Sequence, residues 1–246
     1  MMAYEHGHTE IVKMLLDKDA DCKKCNKWGQ SALMMACEHD QIEIVKILLD
    51  RGANSNKCDN ENQSPLMMAC KHGQIEIVNM FLDRRADYNQ RGSWGRSNVM
   101  IACKLGHTQI AKLLLEKRAD CYKCDVFDQS PLMMACKHGQ IEIVNMLLER
   151  GAYCNQCDKW GQSSLMMTCK HGHTEIGKML LDRRADCNKC DKWGQSALMM
   201  ACDHGRIEIV KILLDRGANS NKCDNKDQSP LMMKNSEDFV RARCRL

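Results

Sequence analysis

The chain has 246 residues, 28% of them charged, and a formal net charge of +4, a mild excess that does not demand a nucleic-acid partner. Aromatic residues make up 4%, so a core must be built from Leu, Ile, Val, Met and Ala. No apolar run approaches the roughly 20 residues needed to cross a bilayer, and Met1-Met2-Ala3 passes straight into repeated sequence without a signal peptide; a soluble intracellular protein is expected, cytoplasmic with the nucleus left open.

One dipeptide sets the frame. Ala36-Cys37, Ala69-Cys70, Ala102-Cys103, Ala135-Cys136, Thr168-Cys169 and Ala201-Cys202 recur at a step of about 33 residues, a period of solenoid repeats. The chain starts inside a unit, since Met1, Met2 and Ala3 align with Met34, Met35 and Ala36. A partial first copy (1–26) precedes copies starting near residues 27, 60, 93, 126, 159 and 192, and a partial last copy covers 225–233. Met1 to Met68 returns closely as Met166 to Met233, an apparent duplication of a block of five units. The pattern then breaks, and residues 234–246 are a divergent tail, either a polar cap or a truncated reading frame. With both ends inside repeats, a fragment of a longer array is one expectation. A solenoid does not convert length into domain count, so residues 1–233 are read as one repeat array.

The copy from Lys192 to Asp224 shows the unit most clearly. Leu198, Met199, Met200, Ala201 and Cys202 are small or flexible apolar residues that suit an inner helix lying close to its neighbours. After Gly205, the residues Ile207, Ile209, Val210, Leu213 and Leu214 fall at helical spacing, with Glu208, Lys211 and Asp215 on the other face, which predicts an outer helix. Gly217 ends it in a left-handed turn. Residues 218–228 read as an extended return loop or hairpin. A single unit cannot bury its apolar face, so copies must stack.

These residues resemble the ankyrin repeats. Ser64-Pro65-Leu66 and Ser130-Pro131-Leu132 stand where that family has Thr-Pro-Leu, and Gly172-His173-Thr174-Glu175-Ile176 and Asp186-Cys187-Asn188 fill later parts of its pattern. The resemblance covers roughly Met1 to Met233. It implies an all-α repeat fold, an ankyrin-type solenoid of stacked helix-turn-helix units with short loops or β-hairpins along one edge. It also implies binding of proteins through the loop tips and the concave face of the inner helices. The chain departs from the pattern in three ways, the first being that its second alanine is cysteine throughout the full copies. The family histidine after Pro-Leu, which bonds across repeats, is Met at Met34, Met67, Met100, Met133, Met166, Met199 and Met232, which predicts sulfur packing in place of a polar tie. The glycine ending the outer helix is replaced by Asp19, Arg85, Arg118 and Arg184, where a left-handed cap costs about 1 kcal/mol or more; those ends are expected to close differently.

Seventeen cysteines invite a metal reading, and Cys22-x-x-Cys25, Cys121-x-x-Cys124, Cys154-x-x-Cys157 and Cys187-x-x-Cys190 have zinc-ligand spacing. The period argues against it. Equivalent residues in stacked units stand about 8 to 10 Å apart, too far for one tetrahedral centre or for a disulfide. The first Cys of each pair is expected in a buried slot, and Cys37, Cys70, Cys103, Cys136, Cys169 and Cys202 as small apolar residues of the inner helix. No metal or cofactor is expected. Histidines recur at His6, His39, His72, His138, His171 and His204, a row read either as a groove-lining pH or metal site or as solvated helix ends. No acid, base and nucleophile gather at one copy unlike the others, so catalysis is not expected.

Two rows vary between copies. At the loop tip stand Trp28, Glu61, Trp94, Phe127, Trp160, Trp193 and Lys226, so all four tryptophans share one slot ahead of a Gly, Asn or Asp turn residue. Five exposed rings are not demanded by folding, whereas large aromatics anchor interfaces; the alternative is that each ring lies over the neighbouring loop and stiffens it. On the inner helix, Glu5 and Glu38 give way to Lys71, Lys104, Lys137 and Lys170 and then Asp203, a basic middle between acidic ends. The partner-binding candidates are therefore Trp28, Trp94, Phe127, Trp160, Trp193, Lys71, Lys104, Lys137, Lys170, His72, His138 and His171. The expected function is a non-catalytic scaffold, a monomer that binds a protein offering an acidic or extended segment with apolar anchors. Three alternatives stay open: the targeting arm of a longer multidomain protein, a metal- or redox-responsive cysteine array, and, ranked low for its acidic groove ends and small net charge, a nucleic-acid binder.

Overall fold

The computed structural model describes residues 7–233; Glu5, His6 and the tail 234–246, which carried some of these expectations, lie outside the described residues. The chain divides into two compact units, Met1–Asp120 and Cys121–Leu246. In the first, helix α1 (Thr9–Asp17) is followed by three helix pairs: α2 (Ala32–Glu38) with α3 (Ile42–Asp50), α4 (Pro65–His72) with α5 (Ile75–Asp83), and α6 (Asn98–Leu105) with α7 (Thr108–Glu116). The second has three more pairs: α8 (Pro131–His138) with α9 (Ile141–Glu149), α10 (Ser164–His171) with α11 (Thr174–Asp182), and α12 (Ala197–Asp203) with α13 (Ile207–Asp215). Short 3-10 turns stand at Ser93–Gly95 and Pro230–Met232. Both units are helical, as expected. Among the described residues the loops form no strand, only isolated antiparallel bridges such as Cys25 with Ser31 and Cys157 with Ser163.

Helices of seven to nine residues are too short to persist alone in water, so packing and capping must hold them. Within the first unit α2, α4 and α6 pack in one row and α1, α3, α5 and α7 in another; within the second, α8, α10 and α12 form the inner row and α9, α11 and α13 the outer. Inner helices are buried over most of their length, as from Leu132 to Cys136, whereas outer helices bury a stripe such as Ile143, Val144, Leu147 and Leu148. Each inner helix begins at a serine whose Oγ accepts the N–H of the third residue, 3.3 Å for Ser196 and Met199. At Ser130, Ser163 and Ser196 the serine N–H in turn donates to the sulfur of Met133, Met166 and Met199, at 3.4 Å. The thioether thus completes a capping box that a Glu or Gln usually makes.

The methionine slot is buried in each described copy from Met34 to Met199. The methionine sulfur bonds within its own copy, and the polar ties lie elsewhere. Asn56, Asn155 and Asn188 accept through Oδ1 the N–H of Asp87, Asp186 and Asn219 in the following copy, at 2.8 Å. On the outer helices Arg84 pairs with Asp50 and Arg216 with Asp182, both at 2.6 Å. The prediction for the outer helix ends is overturned. Asp19, Arg85, Arg118 and Arg184 all adopt the left-handed conformation, with φ from 57° to 62°. The next residue explains it: the N–H of Ala86 reaches Phe81 O and that of Ala185 reaches Leu180 O, both at 3.0 Å, and both alanines are buried. Closing the turn this way satisfies a helix carbonyl and buries a methyl, which offsets the backbone strain.

The cysteines divide by position. Cys37, Cys70, Cys103, Cys136, Cys169 and Cys202 are buried on the inner helices, and burial pushes the Cys136 thiol up to about 12 and Cys202 up to about 11. The first cysteine of each loop pair is less uniform than expected. Cys121 and Cys187 are buried, but Cys22 and Cys154 are half-buried, because the segment lies at the rim of the stack.

Candidate functional site

The loop tips are built by one device. An Asp or Asn at the start of the tip accepts two backbone N–H bonds: Asp158 Oδ1 takes those of Trp160 at 3.0 Å and Gln162 at 2.8 Å, and Asp191 Oδ1 takes those of Trp193 and Gln195 at 2.9 Å. The residue after the ring is left-handed, as at Gly29, Gly161 and Gly194, which is why glycine, Asn or Asp stands there. The ring residue's own carbonyl accepts the N–H of the following tip: Trp28 from Asn60, Trp160 from Lys192 and Trp193 from Asn225, each at 3.0 Å. The backbone that carries Trp28, Trp160 and Trp193 is therefore locked from both sides while each of these rings stays exposed.

In the first unit Trp28 and Trp94 are 59% and 62% exposed, and the Lys27 ammonium lies 4.4 Å from the centre of the Trp28 ring. The third tip lacks the Asp. Gly92 replaces it, Arg91 Nε donates to Gly95 O at 2.7 Å, and Trp94 itself takes a positive φ of 62°. In the second unit Trp193 is 52% exposed, but Phe127 is only half-exposed. Its ring stacks on Trp160 at 5.7 Å between centroids and 20° between planes. Five exposed rings were expected; Phe127 is instead half-exposed and stacked on Trp160, while the four tryptophans stay exposed.

Of the inner-helix candidates, Lys71 and Lys104 in the first unit and Lys170 in the second are exposed, whereas Lys137 is half-buried. His72, His138 and His171 close α4, α8 and α10 and are exposed. A groove of about 610 Å³ in the first unit brings tip and floor together: Trp28 and Lys71 line it with Met35, Met68, Glu38 and Glu61. In the second unit a notch of about 590 Å³ lies beside Tyr122, Tyr153 and Arg183. The two tyrosines, 5.8 Å apart, occupy the slots where other junctions have the Asn-to-backbone tie, and Tyr122 Oη instead donates to Arg150 O at 2.6 Å. The exchange of Asn and Asp for Tyr at these slots was the available signal for it.

Two further groups went unread as functional. His107 and His173 stand just before α7 and α11, and their Nε2 atoms donate to the carbonyls of Lys71 and Lys137, at 3.3 and 3.2 Å. His173 lies so close over Gly139 that a Cβ there would meet its ring at 2.6 Å, and Arg206 takes the same place over Gly172. Among the described residues no group of three or more His, Cys, Asp and Glu side chains is placed to hold a metal ion, and no helix is long and apolar enough to cross a membrane.

Comparison with known proteins decides the family. The model of ankyrin repeats in three copies matches residues 1–92, 89–158 and 150–224. The chain belongs to the ankyrin repeat family. Ankyrin repeats are generally protein-interaction modules and typically non-catalytic. Among solved structures, the human ASB11 ankyrin repeat domain superposes with a TM-score of 0.79 at 25% identity, covering 89% of this chain and 97% of that one. A search of curated proteins finds no match.

Proposed function

We propose that this ankyrin chain is a non-catalytic scaffold that binds a protein partner through its loop-tip rings and the basic ends of its inner helices. One observation carries the reading. Trp28, Trp94, Trp160 and Trp193 are 39% to 62% exposed, and hydrogen bonds fix the backbone at Trp28, Trp160 and Trp193. A ring held rigidly with its face in water costs little further entropy on binding and gains area, as an interface anchor requires. Lys71 lines one groove with Trp28, and Lys104, Lys137 and Lys170 with His72, His138 and His171 add positive charge at the other inner-helix ends, which favours an acidic or extended segment of the partner. Phe127 contributes by holding Trp160 in place.

The four tryptophans are the protein's entire complement, so intrinsic fluorescence reports directly on the tips. The test compares the parent with a variant in which Trp28, Trp94, Trp160 and Trp193 are serine, both checked for helicity by circular dichroism. Proteins captured by the parent from a cell extract should be lost by the variant, and the bound partner should shield the parent's emission from acrylamide. Equal capture by both chains, with quenching unchanged on binding, overturns the role of the tips.

A further inference from the structure

The inner-helix ends of the second unit carry more than a lysine row. His171 closes α10 and His173 precedes α11, and their rings stack at 6.1 Å between centroids and 20° between planes. His173 is fixed by donating Nε2–H to the Lys137 carbonyl at the end of α8. Arg206 lies against Gly172 from the other side, with Nε 2.9 Å from where a Cβ would stand. Around His171 are thus Lys137 and His138 from α8, Lys170 on its own helix, His173 from the turn before α11, and Arg206 from the turn before α13. The acids on adjoining elements are Glu175 in the first turn of α11 and Asp203 at the end of α12, the latter with its Oδ2 3.9 Å from His204 Nδ1. Neither acid is among the groups that move His171; every group that does so is basic.

Resting on the reading of this face as a partner-binding surface, we propose that this cluster is a proton-coupled docking site for a carboxylate-rich segment of the partner, with His171 as the group that gains the proton. A helix C-terminus favours each positive group singly, but like charges gathered from adjacent copies oppose one another. A segment of Asp or Glu residues supplies the missing counter-charge. On docking, one proton passes from solvent to the His171 imidazole, which then faces a carboxylate instead of only cations. Desolvation, then His173, Lys170, Lys137 and His138, hold the free His171 below the usual imidazole range. A bound anion reverses the balance and raises it, so linkage requires tighter binding as pH falls. The first unit shows the same construction without the switch: His107 Nε2 donates to Lys71 O, but α6 ends in Leu105 where α10 has His171, so no imidazole pair forms.

The test uses the full chain and a hexaglutamate peptide carrying a pH-insensitive rhodamine label, titrated by anisotropy between pH 5.5 and 8.5 at fixed ionic strength. Calorimetry in two buffers of different ionisation enthalpy counts protons. Affinity should rise by up to about tenfold from pH 7.5 to 5.5, the limit for one unit of pKa change, with proton uptake peaking at about half a proton per peptide midway between the free and bound values. His171→Gln should keep the salt-sensitive binding and reduce the pH step to about twofold or less. The pair Lys137→Gln and Lys170→Gln should weaken binding at every pH. No binding, a binding constant flat with pH, or a full step retained in His171→Gln each overturns the proposal. The tip variant separates the two readings: if it captures partners as the parent does while the peptide step survives, the tip assignment falls and the proton-coupled site stands.

Discussion

Thr168 points its methyl group at Gly177, with Cγ2 3.6 Å from where a glycine Cβ would lie. Elsewhere the first slot holds Ala36, Ala69, Ala102, Ala135 or Ala201, and the second holds Val45, Val78, Val144 or Val210, with Ala111 in one copy. Volume has moved from the outer helix to the inner one across a single contact. Thr168 Oγ1 meets its polar requirement by donating to Ser164 O at 2.9 Å. Gly177→Ala places its methyl in ordinary contact and removes a mid-helix glycine, so it should stabilise by about 0.5–1 kcal/mol. Gly177→Val overfills the site and should destabilise by about 1–3 kcal/mol. Combining it with Thr168→Ala should recover most of that loss, a non-additivity readable by urea denaturation.

The left-handed arginines yield a second prediction. Arg85 and Arg184 close α5 and α11 at φ of 57° and 61°, where Gly52, Gly151 and Gly217 close other outer helices. Arg85→Gly or Arg184→Gly should each raise stability by about 1 kcal/mol. The reverse change, Gly217→Arg, should lower it by a similar amount through backbone strain alone, since nothing lies within 4 Å of a Cβ there. Thermal unfolding followed by circular dichroism distinguishes the signs.

Thiol chemistry should follow burial. Alkylation by iodoacetamide at pH 8 is expected to label Cys223, which is exposed, and half-buried loop thiols such as Cys25, Cys157 and Cys190 in the native protein. Cys37, Cys70, Cys136 and Cys169 should react only on unfolding, because burial raises each thiol far above its usual range and the thiolate is the nucleophile. Peptide mapping by mass spectrometry before and after adding urea reads this directly. Rapid native labelling of Cys136 would contradict the packing of α8 against α10.

His171 also makes stability depend on pH. Its folded pKa lies below the unfolded value of about 6.5, chiefly through desolvation and then through His173. The unfolded chain therefore binds more protons between the two values, and stability falls as pH drops through about 6.5 toward the folded pKa. His171→Gln should be more stable than the parent, relative to pH 8, when both are compared at pH 5.5. Equal pH profiles for the two proteins would remove the charge cluster as a cause.

The helix pairs were legible because their signals are local and recur. Serine before an apolar run, an apolar stripe at helical spacing and a turn residue after each ring all act within one copy of about 33 residues. The same is true of the buried inner-helix cysteines, whose small slot is set by the approach of neighbouring helices. The tip row was visible as a row, since an aromatic ahead of a left-handed glycine is not what a turn requires.

Sequence alone determined the period, the pairing of inner and outer helices and the family, because each rests on spacing and side-chain type within one copy. Tertiary structure decided which rings meet: Phe127 and Trp160 stand 33 positions apart and come together only when their tips are stacked. It also decided that His173 reaches Lys137 O, 36 residues back, and that Arg184 accepts a strained backbone so that Ala185 is buried and bonded. These outcomes depend on the position of a neighbouring element, and a side chain's contacts across such a junction are fixed by packing, which no window along the chain contains.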